Sequence, residues 1–188
     1  MRTPLSAPAS ARAIGLCCWL EQQMFMALGG RVVDLEDPEV KLTMLEVAEH
    51  AAWRTQRWYE LLPTAPPGAD VLVAAPPSVE ALLTEIVDVL GTAPSAEVVL
   101  LAEALLILID VLTGDLADRS APLAGASVRR ICGFARTDIA ADLERIRDLT
   151  EADGGPPAGS ADAGSALEPG SVLGRLRALS AEDLLALI

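Results

Sequence analysis

Residues 14–28 read Ile-Gly-Leu-Cys-Cys-Trp-Leu-Glu-Gln-Gln-Met-Phe-Met-Ala-Leu, and the acid in their midst, Glu21, carries most of what the chain says about its fold. Read as a helix, the run places Cys17, Cys18, Met24, Phe25 and Leu28 on the same face as Glu21. An unpaired carboxylate is costly to bury, so an acid in such company is paired, protonated or bound to a metal. Glu103 repeats the pattern, flanked at helical spacing by Val99, Leu100, Leu106 and Ile107. Two acids on apolar helical faces imply a bundle of helices with a polar site, or a former site, inside it.

The composition agrees. The chain has 188 residues, 52% of them hydrophobic but only 3% aromatic, so Ala, Leu and Val supply the core. That balance favours packed helices over a sandwich or barrel, which draws on β-branched and aromatic alternation. A formal net charge of −13 repels nucleic acid and anionic membrane surfaces, and no basic cluster interrupts it. The most apolar stretch, Val98 to Leu112, is short for a membrane span and carries Glu103 and Asp110. Three cysteines without metal-type spacing read as buried thiols in a reducing compartment. Glu21 and two glutamines interrupt any signal-like apolar run, so a cytoplasmic protein is expected.

Punctuation divides residues 1–150 into four helical blocks. The first runs from about Ala9 to Leu28 and is expected to stop at Gly29-Gly30. Asp37-Pro38-Glu39 opens the second, an N-cap followed by a proline at the first helical position, and Pro63 closes it. A proline-rich loop, Thr64 to Pro77, is long enough to cross from one end of a bundle to the other. The third block starts at Ser78, breaks at Gly91-Thr92-Ala93-Pro94, restarts with Ser95 as cap and runs to Gly114. The fourth spans roughly Ala126 to Leu149, with Val128, Ile131, Ala135, Ile139, Ile146 and Leu149 as its apolar stripe. Residues 151–170 have the composition of a flexible linker. Residues 171–188 become amphipathic again, a segment too short to fold alone that docks on its own bundle or on a partner.

The second block carries the one histidine, His50, with Glu46 four residues before it and Glu49 beside it. In the fourth block Asp138 and Asp142 are also four apart, so both face one direction. With Glu21 and Glu103, every helix offers a ligand. Carboxylates plus imidazole inside a bundle are the donor set of a di-iron or di-manganese centre. Each residue also has a plainer reading. Glu21 pairs with an arginine from another helix or is protonated; Glu103 pairs with Arg129, Arg130 or Arg136; Asp142 and Arg145 form a surface pair; and Trp53, Trp58 and Tyr59 pack.

In this order of ligands the chain resembles the ferritin-like superfamily over residues 9–150. The order is Glu in helix one, Glu plus His in helix two, a crossover, Glu in helix three and acids in helix four. Trp19 through Phe25, Pro38 through Lys41, His50-Ala51-Ala52-Trp53 and Leu61-Leu62-Pro63 also look like a group of ferritin-like proteins from actinobacteria. The resemblance implies an all-α, up-down-down-up four-helix bundle with a split third helix and a tethered C-terminal segment. It also implies iron or manganese held by Glu21, Glu46, Glu49, His50, Glu103, Asp138 and Asp142. The family pattern has Glu three residues before His, often twice. Here the spacing is four, and helix four has no histidine. The stretch Gly170-Ser171-Val172-Leu173-Gly174-Arg175-Leu176 loosely resembles peptides that load ferritin-like cargo into encapsulin-type shells.

Two functions follow from different classes. In the first, the bundle keeps a degenerate metal site, holds no cofactor and acts as a binding module, its tail docking on a protein partner. In the second, it is a di-iron or di-manganese carboxylate oxidase or oxygenase. A homodimer is expected from the wide apolar helices. Whether arginines neutralise the acids, or the acids converge on His50, separates the two.

Overall fold

The computed structural model describes residues 3–121, 125–152 and 171–179, all helix and connecting turn with no strand among them. Helix α1 spans Ala7–Arg31, α2 Pro38–Tyr59, α3 Ala69–Leu72, α4 Pro77–Leu90, α5 Ser95–Arg119, α6 Ala126–Ala152 and α7 Val172–Ala178. None of these is long and apolar enough to cross a membrane.

The caps show which local signals governed. Ser6 accepts a hydrogen bond from the Ala9 amide at the start of α1, and Asp37 accepts from the Glu39 and Val40 amides at the start of α2, with Pro38 next. Gly29-Gly30 does not end α1. Neither glycine takes the left-handed conformation that makes a glycine a stop, and the helix continues to Arg31 before a 3-10 turn at Val32–Asp34. The Arg31 guanidinium fixes that turn, donating to the Ala93 carbonyl at 2.8 Å and pairing with Asp34 at 3.3 Å. Gly114 is likewise passed through, because it faces the Arg136 guanidinium of α6 rather than a turn, and α5 runs on to Arg119. Ser95 is the first helical residue of α5; Pro94 holds the cap position without a side-chain bond. The crossover is more ordered than a loop, since α3 lies within it and α4 packs on α1 and α5.

Cross-helix contacts fix the directions of the four long helices. The Leu5 amide, just before α1, bonds the Arg119 carbonyl at the end of α5, while Arg31 at the end of α1 reaches Ala93 just before α5. Therefore α1 and α5 are antiparallel. Glu46 meets Arg145, His50 meets Asp142 and Arg54 meets Asp138, so α2 and α6 are antiparallel as well. Helix α1 packs on α2 and α5, and α6 packs on α5 and α2. Between them lie Leu16, Leu20, Met24, Met44, Leu105, Leu106, Leu112 and Ile139, all but sealed from solvent. Leu173 and Leu176 of α7 join this core against α4 and α5, with Arg175 paired to Glu85. The N-terminal end of the tail segment thus docks on its own bundle. Most of the linker, residues 153–170, and the end of the segment, 180–188, lie outside the described residues.

Candidate functional site

Helix α2 has a buried stripe at Val47, Ala51, Arg54 and Trp58. The third of these is a charge, the counterpart of Glu21 on α1. Arg54 is 1% exposed and Glu21 is fully buried, and the Arg54 Nε donates to Glu21 Oε1 at 2.8 Å. Its Nη1 donates in the other direction, to Asp138 Oδ2 at 2.7 Å and to Asp142 Oδ2 at 3.1 Å, both on α6. One guanidinium therefore ties three helices together through three carboxylates. Arginine suits the task because its planar fork carries five donors and stays charged.

Three rungs four residues apart cross the α2–α6 seam. At the inner end Arg54 meets the two aspartates. In the middle His50 Nδ1 lies 2.7 Å from Asp142 Oδ1 and 4.0 Å from Asp138 Oδ1. At the outer end Arg145 Nε pairs with Glu46 Oε2 at 3.3 Å, and Arg145 Nη1 lies 3.5 Å from Asp142 Oδ1. Burial falls along this line: Asp142 is fully buried, Asp138 is 28% exposed, His50 34% and Glu46 52%.

Burial pushes the Glu21 carboxyl above its ordinary range. Arg54 pulls it back, while the charges of Asp142 and Asp138 push it up again. The arginine does not prevail because the loss of water around a fully buried carboxylate is the largest of these effects, and the two aspartates add to it. Burial also works against the charge on Arg54, but Glu21 and the two aspartates outweigh that and hold the guanidinium protonated. Two atoms of the network, Glu21 Oε2 and Arg54 Nη2, are buried without a hydrogen-bond partner.

Of the residues expected to hold metal, then, Glu21, His50, Asp138 and Asp142 come together, with Arg54 among them. Glu46 and Glu49 are exposed, and Glu46 is engaged by Arg145. Glu103 is half-buried on α5, outside the set whose ligand atoms approach one another, and Arg136 pairs with Asp110 at 2.8 Å. Asp142 does contact Arg145, but from a buried position rather than as a surface pair. Trp58 is core, whereas Trp53 is 46% exposed with the Arg57 guanidinium 5.6 Å from its ring centre, and Tyr59 donates to Asp70. Cys17, Cys18 and Cys132 are buried free thiols. Burial raises all three, Cys18 to about 11 and Cys132 to about 12, so none is a nucleophile near neutral pH.

No family model, curated protein or solved structure matches the chain. A dinuclear centre does not fit the residues present. Two bridged metals need carboxylate oxygens turned toward a shared space, and here Arg54 stands between Glu21 and the two aspartates and takes one oxygen from each. A groove of about 650 Å³ between the start of α1, Leu72 and Val128, and a cleft of about 450 Å³ beside Cys18 and Tyr59, are lined by none of the cluster's members, whereas a cleft of about 400 Å³ between Leu42 and Leu149 reaches Arg145 of the outer rung.

Proposed function

We propose that this protein is a ferritin-like helical bundle that works as a binding module, with an arginine standing where bundle enzymes of that kind hold metal. The observation that carries this reading is Arg54, bonded to Glu21, Asp138 and Asp142 at once. A buried guanidinium so placed takes one oxygen from each of the three acids and stands between Glu21 and the two aspartates, where a bridged pair of metals would have to sit. The antiparallel pairing of α1 with α2 and α5, and of α6 with both, supports the up-down-down-up order of a ferritin-like bundle.

The partner engages the C-terminal segment. Leu173 and Leu176 are taken up by the bundle itself, so residues 171–176 of the loading-peptide-like stretch are committed within the molecule. Its seat on α4 and α5 anchors the chain just ahead of Leu184, Leu185, Leu187 and Ile188, which are the apolar residues left for a partner, an encapsulin-type shell included. Elemental analysis of protein expressed in iron- and manganese-supplemented medium tests the central claim. The expectation is less than two equivalents of either metal. Two equivalents lost in Glu21→Gln would overturn it in favour of the oxidase.

A further inference from the structure

Arg54 occupies only the inner side of the two aspartates. Its bonds go to Oδ2 of Asp138 and Oδ2 of Asp142, and the Oδ1 atoms of both turn toward His50 Nδ1. We infer that this outer half is a mononuclear divalent-cation site, formed by His50 Nδ1, Asp138 Oδ1 and Asp142 Oδ1.

Three features carry the inference. The ligand atoms already lie within 4.8 Å of one another, on two helices held in register by the rungs above and below. A metal at about 2.0–2.2 Å from each donor asks only for small side-chain adjustments from separations of 2.7 and 4.0 Å. Charge is the second feature. Glu21, Asp138 and Asp142 share the one buried guanidinium of Arg54, the half-exposed Arg145 reaching only Asp142 at 3.5 Å, and Glu21 Oε2 is buried with no hydrogen-bond partner. The third is access. Asp142 is sealed while His50 and Asp138 are partly open, so water can enter and complete the coordination shell from one side.

One imidazole nitrogen with two carboxylate oxygens suits Zn2+ or Mn2+, and three such atoms within 4.8 Å of one another are the donor set of one ion. Binding displaces the proton that His50 Nδ1 shares with Asp142. It also displaces Arg145 Nη1 from Asp142, a contact of 3.5 Å from a half-exposed side chain that keeps Glu46 as its partner. Arg54 then acts on the metal only through the aspartates, orienting both from behind as an outer-shell donor.

This site does not depend on the binding-module reading, and the stoichiometry keeps the two apart. Full-length protein is stripped with chelator and titrated calorimetrically with Zn2+ and with Mn2+, in excess Mg2+ to occupy the acidic surface. One equivalent of either ion is expected, with a rise in melting temperature on binding. His50→Ala and Asp138→Asn change partly exposed side chains, so their folding can be verified by circular dichroism before titration. Each should weaken binding beyond the roughly 10–100-fold that loss of an outer-shell partner costs, and abolish the thermal shift. Binding that both folded variants retain, or no saturable binding to the parent protein, overturns the inference. Two equivalents would instead overturn the binding-module reading.

Discussion

The α2–α6 seam and the α1–α5 seam belong to the same bundle and are built on opposite terms. Between α2 and α6 run the rungs of Arg54, His50 and Arg145 with their acids. Where α1 meets α5, the interior is Leu16, Leu20, Met24, Leu28, Leu105, Ile109 and Leu112, and hydrogen bonds at Leu5 and Arg31 close its two ends. The apolar seam is stable through area alone and tolerates many volume-conserving exchanges. The polar seam gains little net free energy from its charges, because desolvation offsets their attraction. What it adds is register, since sliding one helix past the other by a turn leaves at most one of the three rungs with an opposite partner. The expected consequence is an asymmetry: removing one member of the polar seam costs more than removing one apolar contact of similar size.

Arg54→Met tests that asymmetry most severely. Methionine keeps the volume but leaves Glu21 and Asp142 buried without their cation, and a loss of about 3–5 kcal/mol in urea unfolding is expected. A loss under about 1 kcal/mol would show that the acids are already protonated or reached by water, and the contrast between the seams would disappear.

Next in size is the seat of α7. Truncation after residue 179 is expected to leave the melting temperature unchanged, whereas truncation after residue 170 removes Leu173 and Leu176 from the core. The cost of the longer deletion should be about 2 kcal/mol or more, in line with emptying buried leucine sites. Equal melting temperatures would mean that α7 contributes nothing to the bundle and is itself free to meet a partner.

On the apolar side the sharpest test is Gly15→Ala. A Cβ built on Gly15 would overlap the Leu72 carbonyl oxygen, so α3 can lie against α1 only over a glycine. Overpacking of this kind costs about 1–3 kcal/mol, and the clash is with backbone, which cannot change rotamer. Thermal unfolding of the variant reads it directly. Little or no change would show that α3 shifts without disturbing the core.

How much of this was legible in the residues depends on whether a signal is local. Asp37-Pro38 marked the start of α2 correctly because a cap is satisfied within one turn. Glu21 stood out because its helical neighbours are apolar, and an arginine from another helix was among its expected partners. Arg54 fits the same rule on the Val47-Ala51-Trp58 stripe, so the residue that organises the centre was findable by the argument that exposed Glu21. Its partners were not findable. They lie 33 residues away on α1 and 84 and 88 residues away on α6, and depend on the register of three helices. Glu49 fell outside the site because adjacent helical residues point about 100° apart, and His50 took the inward direction. Glu103 misled for a different reason: α5 is buried on more than one side, so apolar neighbours do not say which side faces the other acids.

Alkaline pH probes the burial of the core thiol on α6. Burial lifts the Cys132 thiol to about 12, well above the roughly 8.5 of an unfolded chain. Below the unfolded value the thiol is protonated in both states. Through the window between the two values the native state keeps a proton that the unfolded chain gives up, so stability falls as pH rises, by at most about 1.4 kcal/mol per pH unit. Urea midpoints from pH 8 upward should decline less steeply in Cys132→Ala than in the parent. Parallel slopes would mean that the thiol ionises in place.

The smallest expected effect is the most discriminating about why the polar seam matters. Glu46→Gln removes the charge of the outermost rung while leaving its shape, and both Glu46 and Arg145 are about half-exposed. A pair in that position is screened and mobile, and its loss should cost a few tenths of a kcal/mol. The rung is joined at 3.3 Å, not far from the 2.8 Å between Arg54 and Glu21, so a count of bonds would rank them alike. Burial ranks them differently, because an exposed glutamate that loses its partner returns to water and a buried one cannot. If Glu46→Gln approached the cost of Arg54→Met in the same unfolding assay, the seam would be acting as one cooperative unit, and its strength would lie in the ladder rather than in the buried arginine.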